Sequence, residues 1–82
     1  MTVDCVSEGR TLTAAVRGEL DHHRAKEVMT ELDEQFDMAL PRRLTLDLSG
    51  LSFTDSSGIA VLIRVSRRME QIKGEVIVRG VP

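Results

Sequence analysis

Leu44-Thr45-Leu46-Asp47-Leu48 alternates leucine with a polar residue, and that alternation decides the architecture. Successive side chains on a strand point to opposite faces, so the three leucines share one face while Arg43, Thr45 and Asp47 share the other. A parallel strand covered on both faces reads instead as an unbroken apolar run. This strand is therefore covered on one side only. Downstream, Ser49-Gly50 reads as a turn, and Leu51-Ser52-Phe53 reads as returning two side chains to the core. Phe53-Thr54-Asp55-Ser56-Ser57-Gly58 then ends the strand-like segment and opens a helix over roughly 56 to 72. The expected inner stripe of that helix is Ile59, Leu62, Ile63 and Met69, broadened by Val61, Val65 and Ile72. Gly74 is placed to cap its C-terminal end.

Working outward from this stretch, Pro41 stops a preceding helix at roughly 21 to 39. Its apolar positions are Ala25, Val28, Met29, Leu32, Phe36, Ala39 and Leu40, and Asp21 is a good N-cap. Before it, Thr11 to Arg17 alternates, with Leu12, Ala14 and Val16 on one face, and Gly18-Glu19-Leu20 closes that strand. Residues 2 to 8 form another short strand, and the Gly9-Arg10 turn makes the two a hairpin. At the other end, Glu75 to Arg79 is a last strand. The order is β-β-α-β-α-β. Parallel crossovers are right-handed almost without exception. The polar second faces (Thr11, Thr13, Thr45, Asp47, Glu75, Arg79) put both helices on one side. The predicted fold is α/β: a small mixed sheet with an N-terminal hairpin followed by a one-sided right-handed βα superhelix. Its last strand lies at an exposed edge.

At 82 residues the chain reads as a single domain, residues 1-82, with 41% hydrophobic and 29% charged residues and a formal net charge of −2. Two Phe and no Tyr or Trp leave an aliphatic core and no base-stacking platform. The strongest basic cluster is Arg67-Arg68, so nucleic acid is not an expected partner. Cys5 is the single cysteine, which rules out an internal disulfide and fits a reducing, cytoplasmic setting. Met1-Thr2-Val3-Asp4 has neither the basic nor the apolar region of a signal peptide. The longest apolar run, Ile59 to Ile63, is far short of the ~20 residues that span a bilayer, so no membrane association is expected.

Two motifs carry possible chemistry. Asp55-Ser56-Ser57-Gly58 opens a helix, where unpaired N–H groups and the macrodipole favour negative charge. Two hydroxyls there can cap the helix, and they can also accept a phosphate. A phosphoserine adds about −1.5 to −2 charges at neutral pH, enough to turn a fitting surface into a repelling one beside Asp55. Gly58, lacking a side chain, offers close approach to a partner. Asp21-His22-His23 follows another strand end, so both loops are expected on one edge of the sheet, where sites collect in α/β proteins. Adjacent histidines on a helix point about 100° apart and no further ligands complete a zinc set, so no metal and no cofactor is assigned. The serines have neither a nearby base nor a Gly-x-Ser-x-Gly elbow, and there is no phosphate-cradling Gly-x-x-x-x-Gly-Lys, so no catalytic residue is assigned and the chain reads as a non-enzyme. Glu27, Glu31 and Glu34 on the first helix, and Arg64, Arg67 and Arg68 on the second, read as solvated faces.

Gly18-Glu19-Leu20-Asp21-His22-His23, Leu44-Thr45-Leu46-Asp47-Leu48 and Phe53-Thr54-Asp55-Ser56-Ser57-Gly58-Ile59, in that order, resemble the STAS family, and within it bacterial anti-sigma factor antagonists of the sporulation and stress type. The resemblance implies a partner-switching protein. The unphosphorylated form binds an anti-sigma factor that is also a serine kinase and so frees a sigma factor; phosphorylation breaks the complex and a phosphatase restores it. By position Ser56 is the implied acceptor, with Ser57 the runner-up. Asp21, His22, His23, Thr54, Asp55, Ser56, Ser57 and Gly58 form the implied partner surface. Family members also continue past the strand at 75 to 79 into a helix, a strand and a closing helix that this sequence lacks, so the expectation is either a truncated version of a larger domain or a homo-oligomer in which a second copy supplies the missing cover. The alternative is a STAS scaffold or self-association module whose serines only cap the helix. A nucleotide-sensing module ranks below both.

Overall fold

The computed structural model describes residues 2–80. Strands β1 (Thr2–Glu8) and β2 (Thr11–Leu20) form an antiparallel hairpin, with Gly9 at the turn in the left-handed region at φ 60°. Helix α1 (His22–Ala39) leads to β3 (Arg43–Thr54), α2 (Ser56–Gln71) leads to β4 (Glu75–Arg79), and the sheet order is β1-β2-β3-β4. The β2–β3 and β3–β4 pairs are parallel. This is the expected β-β-α-β-α-β order.

The inward row of the sheet is fully apolar: Leu12, Ala14, Val16 and Leu20 from β2 and Leu44, Leu46 and Leu48 from β3 are buried. Val28, Leu32 and Phe36 of α1 and Val61, Val65 and Met69 of α2 close over them. The opposite face carries Thr11, Thr13, Thr45 and Asp47, none of them buried, with no helix over it among the described residues. Both helices lie on one face, as the leucine alternation requires. Cys5 is half-buried on β1 opposite Ala14, and burial, with Glu31 and Asp4 nearby, pushes its thiol pKa up.

Three local expectations are corrected. Ser49-Gly50 does not turn; β3 runs through it to Thr54, and its extra residues are absorbed as irregularities against Ala15/Arg17 and Gly18/Glu19 of β2. A side chain on Gly50 would meet Cγ of Arg17 at 2.7 Å, so the glycine allows two strands to close up and does not reverse the chain. The second irregularity puts Leu51 opposite Gly18 but Phe53 opposite the outward Glu19, so Leu51 turns in while Phe53 stays 52% exposed. On α2 the inner stripe is Gly58, Val61, Val65 and Met69, at i, i+3 and i+4 spacings. Ile59 and Ile63 are 61% and 49% exposed, and Ile72 is exposed at the C-terminal cap.

Both helix ends have chemical stops. Leu40, at φ 47°, donates to Phe36 O, and the buried Pro41 follows. At the end of α2 the left-handed position is Lys73 at φ 57°, one residue before the expected glycine. Lys73 donates to Glu70 O at 3.0 Å and Gly74 to Met69 O at 2.8 Å, a Schellman closure. Gly74 is bare because a Cβ would meet Met69 Cε at 2.5 Å and Arg42 O at 2.8 Å.

The two helices are clamped by charge. Arg68 donates to Asp33 at 2.8 Å and to Asp37 at 2.7 Å, Arg64 donates to Asp33 at 3.2 Å, and the Arg68 guanidinium lies 4.9 Å from the Phe36 ring centroid. Arg68 is therefore half-buried in the clamp and not part of the solvated face expected of it, whereas Arg64 stays exposed while reaching Asp33. Asp33/Asp37 and Arg64/Arg68 both recur at i, i+4, which is the pattern that carries this signal.

Candidate functional site

Leu20 and Thr54 end β2 and β3 as register partners, and the Asp55 amide donates to Leu20 O at 3.4 Å. The helix starts that follow are therefore neighbours. Each uses an aspartate as N-cap: Asp21 Oδ1 accepts from the Arg24 amide at 3.0 Å, and Asp55 Oδ1 accepts from the Ser57 amide at 2.8 Å. The Arg24 amide bond, helped by the charges of Arg24 and His23, holds the Asp21 carboxyl below its ordinary range. An anion is already stabilised at this edge.

Because Asp55 takes the cap, neither serine does. Ser56 is the first residue of α2 and is exposed, while Ser57 is half-buried and lines a groove between the helices with His22, Met29, Ala60 and Arg64. The idea that these serines serve only as caps is thus corrected: a carboxylate one residue earlier reaches the amide better placed for it.

Gly58 also changes role. It is buried, and a Cβ there would overlap Thr54 Oγ1 and approach Leu20 Cδ2 at 3.4 Å. Its bareness lets α2 sit down on the strand ends; it presents nothing to a partner. Behind the loop an apolar cavity of about 420 Å³ is walled by Leu46, Leu48, Leu51, Ile59 and Leu62, with Asp55 and Ser56 also lining it. Thr54, Asp21, His22 and His23 are at the same edge, with the two imidazoles exposed and their centroids 6.0 Å apart.

The sequence profile of the STAS domain matches residues 3–82. The chain belongs to the STAS domain family. Among curated relatives, this STAS chain is similar to the anti-sigma F factor antagonists of Paenibacillus polymyxa, at 34% identity over 67 residues, and of Lysinibacillus sphaericus, at 30% over 67 residues. In each case 82% of this chain is aligned, and it spans 57% of the length of the relative. Its fold is also that of the anti-sigma factor antagonist SpoIIAA in its unphosphorylated form, with a TM-score of 0.81 at 23% identity over 99% of this chain and 76% of the other. The phosphorylated form of SpoIIAA from Bacillus superposes with a TM-score of 0.76 at 23% identity, over 93% of this chain and 69% of the other.

Of the residues singled out in the sequence, the structure of this STAS chain brings Asp21, His22, His23, Thr54, Asp55, Ser56 and Ser57 together at the ends of β2 and β3, and turns Gly58 inward. Phe53 and Ile59, three residues on either side of Ser56 and expected in the core, instead stand exposed at this edge. The signal for Phe53 lay in Gly18 and Gly50, two glycines in paired strands that mark irregular register.

Proposed function

We propose that this chain is a phosphorylation-controlled anti-sigma factor antagonist. Its unphosphorylated form binds an anti-sigma factor that is also a serine kinase, and phosphate on Ser56 ends that binding. It acts as a binding module without catalysis of its own, in the cytoplasm. One observation carries the reading: Ser56 is an exposed hydroxyl at the first position of α2, relieved of capping by Asp55, on the edge it shares with Asp21, His22 and His23.

The physical consequence of phosphorylation follows from the charge. The loop presents neutral Ser56 and Ser57 beside two carboxylates that are already satisfied by backbone amides. A phosphoryl group adds about −1.5 to −2 charges there. The helix N-terminus tolerates that charge, so the fold survives, whereas a partner shaped for the neutral loop meets an anion next to Asp55. The switch requires no refolding. A phosphatase that removes the group returns the original surface.

The test is to incubate the chain with ATP and a cognate anti-sigma kinase and to weigh the product. One phosphate is expected on the wild type and none on Ser56→Ala. Absence of the phosphate, or equal modification of Ser56→Ala, overturns the assignment of Ser56.

A further inference from the structure

The end of the sheet away from Ser56 carries a second charged feature. Arg10, Arg42 and Lys73 stand on the three loops that enter β2, β3 and β4, and with Thr11, Arg43 and Glu75 they line a shallow cleft of about 280 Å³. We infer that this row of cations holds an acidic segment of a protein partner, whatever the state of Ser56. The row precedes β2 and β3, whereas the Ser56 edge follows them, so the two are separated by a strand length of roughly 30 Å. A partner held here leaves the Ser56 edge free.

The backbone sets the row. Thr11, Arg43 and Glu75 are register partners across the three parallel strands, so the residues just before them lie side by side. Arg10 O accepts from the Arg42 amide at 2.8 Å and the Arg43 amide at 3.1 Å, and Arg42 O accepts from the Glu75 amide at 2.9 Å. At a strand spacing of about 4.8 Å the three loops span roughly 10 Å. Arg10 and Arg42 precede inner strands, so the centre of the row does not lie at an edge of the sheet.

The cations are available. Arg10, Arg42, Arg43 and Lys73 are all exposed, and they gather at one end of a chain whose formal net charge is −2. The acids beside them are Glu75, which holds Arg43 at 3.1 Å, and Glu8, which ends β1. Among the described residues no ion pair engages Arg10, Arg42 or Lys73. The carbonyl ends of α1 and α2 lead into the same loops and offset part of the repulsion among these cations.

The remaining donors decide the kind of anion. A compact phosphate is held by a nest of free backbone N–H groups. Here the amides of Arg42, Arg43, Lys73, Gly74 and Glu75 all donate within the fold. Only long, exposed side chains are left, and these suit carboxylates on a flexible segment. Alternate side chains of an extended segment are about 6.7 Å apart, so two or three acids cover the row. Because the cations line a cleft, a single strand of chain reaches them together and a flat lipid surface does not. Leu40, 66% exposed at its left-handed position two residues before Arg42, adds an apolar contact at the rim.

The decisive experiment follows a fluorescently labelled oligoglutamate by anisotropy, with oligoglutamine as the neutral control. Wild type should bind the first and ignore the second, and added salt should weaken the binding. The double variant Arg10→Ser, Arg42→Ser should bind at least roughly tenfold more weakly. The double variant Lys26→Ser, Arg67→Ser removes the same charge elsewhere and should lose less than about twofold. All four side chains are exposed, so both variants should keep the wild-type circular dichroism spectrum. Ser56→Asp should bind the peptide as wild type does, and a weakened complex there overturns the independence from Ser56. Equal losses in the two double variants would mean that net charge alone attracts the peptide, and would overturn the inference. So would a wild type that binds no oligoglutamate, or that takes pyrophosphate or phosphatidylserine vesicles at Arg10 and Arg42 in its place.

Discussion

Leu20 and Thr54 end neighbouring parallel strands as direct register partners, and this adjacency puts the two aspartate-capped helix starts on one edge. Everything at the candidate site hangs from it. Two chain segments more than thirty positions apart meet because paired parallel strands, with the extra residues of β3 absorbed as irregularities, end together and feed helices on the same side. Gly58 then fixes how closely α2 approaches that edge.

The tight contact predicts the effect of Gly58→Ala. The new methyl overlaps Thr54 Oγ1, a steric cost of ~1–3 kcal/mol. Better helix propensity returns less than ~1 kcal/mol near a helix start. The variant should therefore be less stable in urea. Adding Thr54→Ala removes the clashing oxygen and should recover most of the loss; if the double variant is no better than Gly58→Ala alone, the Gly58–Thr54 contact is not the cause.

Capping by Asp55 separates the acidic residue from its neighbouring serine. Asp55→Ala loses the 2.8 Å bond to the Ser57 amide and should cost ~1 kcal/mol. Ser56→Ala removes an exposed hydroxyl that caps nothing and should change stability by less than ~0.5 kcal/mol. Equal costs for the two in chemical denaturation would put the cap on the serine instead.

Acid should act on Asp21 and Asp47. Asp21 is held down by the Arg24 amide, and Asp47 by the amide of Ser49 at 3.0 Å and its hydroxyl at 2.7 Å. A carboxylate whose pKa is lower in the folded than in the unfolded chain adds stability above the unfolded value, about 3.9, and loses it as pH falls through the folded one. Stability should thus fall on acidification below roughly pH 4. Asp21→Asn keeps a capping oxygen without a titrating proton, so its acid limb should be shallower by circular dichroism. An unchanged limb would remove Asp21 from the account.

The α1–α2 clamp predicts a salt effect. Arg68→Met keeps apolar bulk over Phe36 but loses the bonds to Asp33 and Asp37, and should cost ~1 kcal/mol at low ionic strength. Because the pairs are partly exposed, the difference from wild type should shrink in 1 M salt, where screening reaches about 3 Å. A difference that ignores salt would mean that packing alone holds the helices together.

How much of this was legible in the sequence depended on which periodicity had a single solution. Leu44, Leu46 and Leu48 admit one inward face, and the one-sided sheet, the element order and the place of both loops followed from them. α2 had two helical solutions on adjacent arcs, Ile59/Leu62/Ile63 and Val61/Val65/Met69. Glycine at 58 and the Arg64/Arg68 pair select the second, by close approach to Thr54 and by reach to Asp33, both of them tertiary facts. Ser49-Gly50 looked like a turn because glycine marks both chain reversal and strand closure, and only the neighbour Arg17 distinguishes them. The serines looked like caps because hydroxyls at a helix start suit that role, but Asp55, equally eligible and one position earlier, takes it.

The correction at Phe53 and Ile59 gives the sharpest functional prediction. Both are large, apolar and exposed, at 52% and 61%, and they flank Ser56 at equal separation along the chain. Water exposure of two such side chains beside a polar loop is the composition of a contact surface, with an apolar anchor near groups that set specificity. Ile59→Ser and Phe53→Ser remove little buried area, so each should leave the melting temperature within a few degrees of wild type. If the loop docks an anti-sigma kinase, each should weaken that complex by roughly tenfold or more, since an anchor lost from an interface costs upwards of ~1 kcal/mol. Titration calorimetry against the cognate kinase measures this directly. Wild-type affinity in both variants would move the docking surface away from the Ser56 edge, toward the solvated faces of α1 and α2.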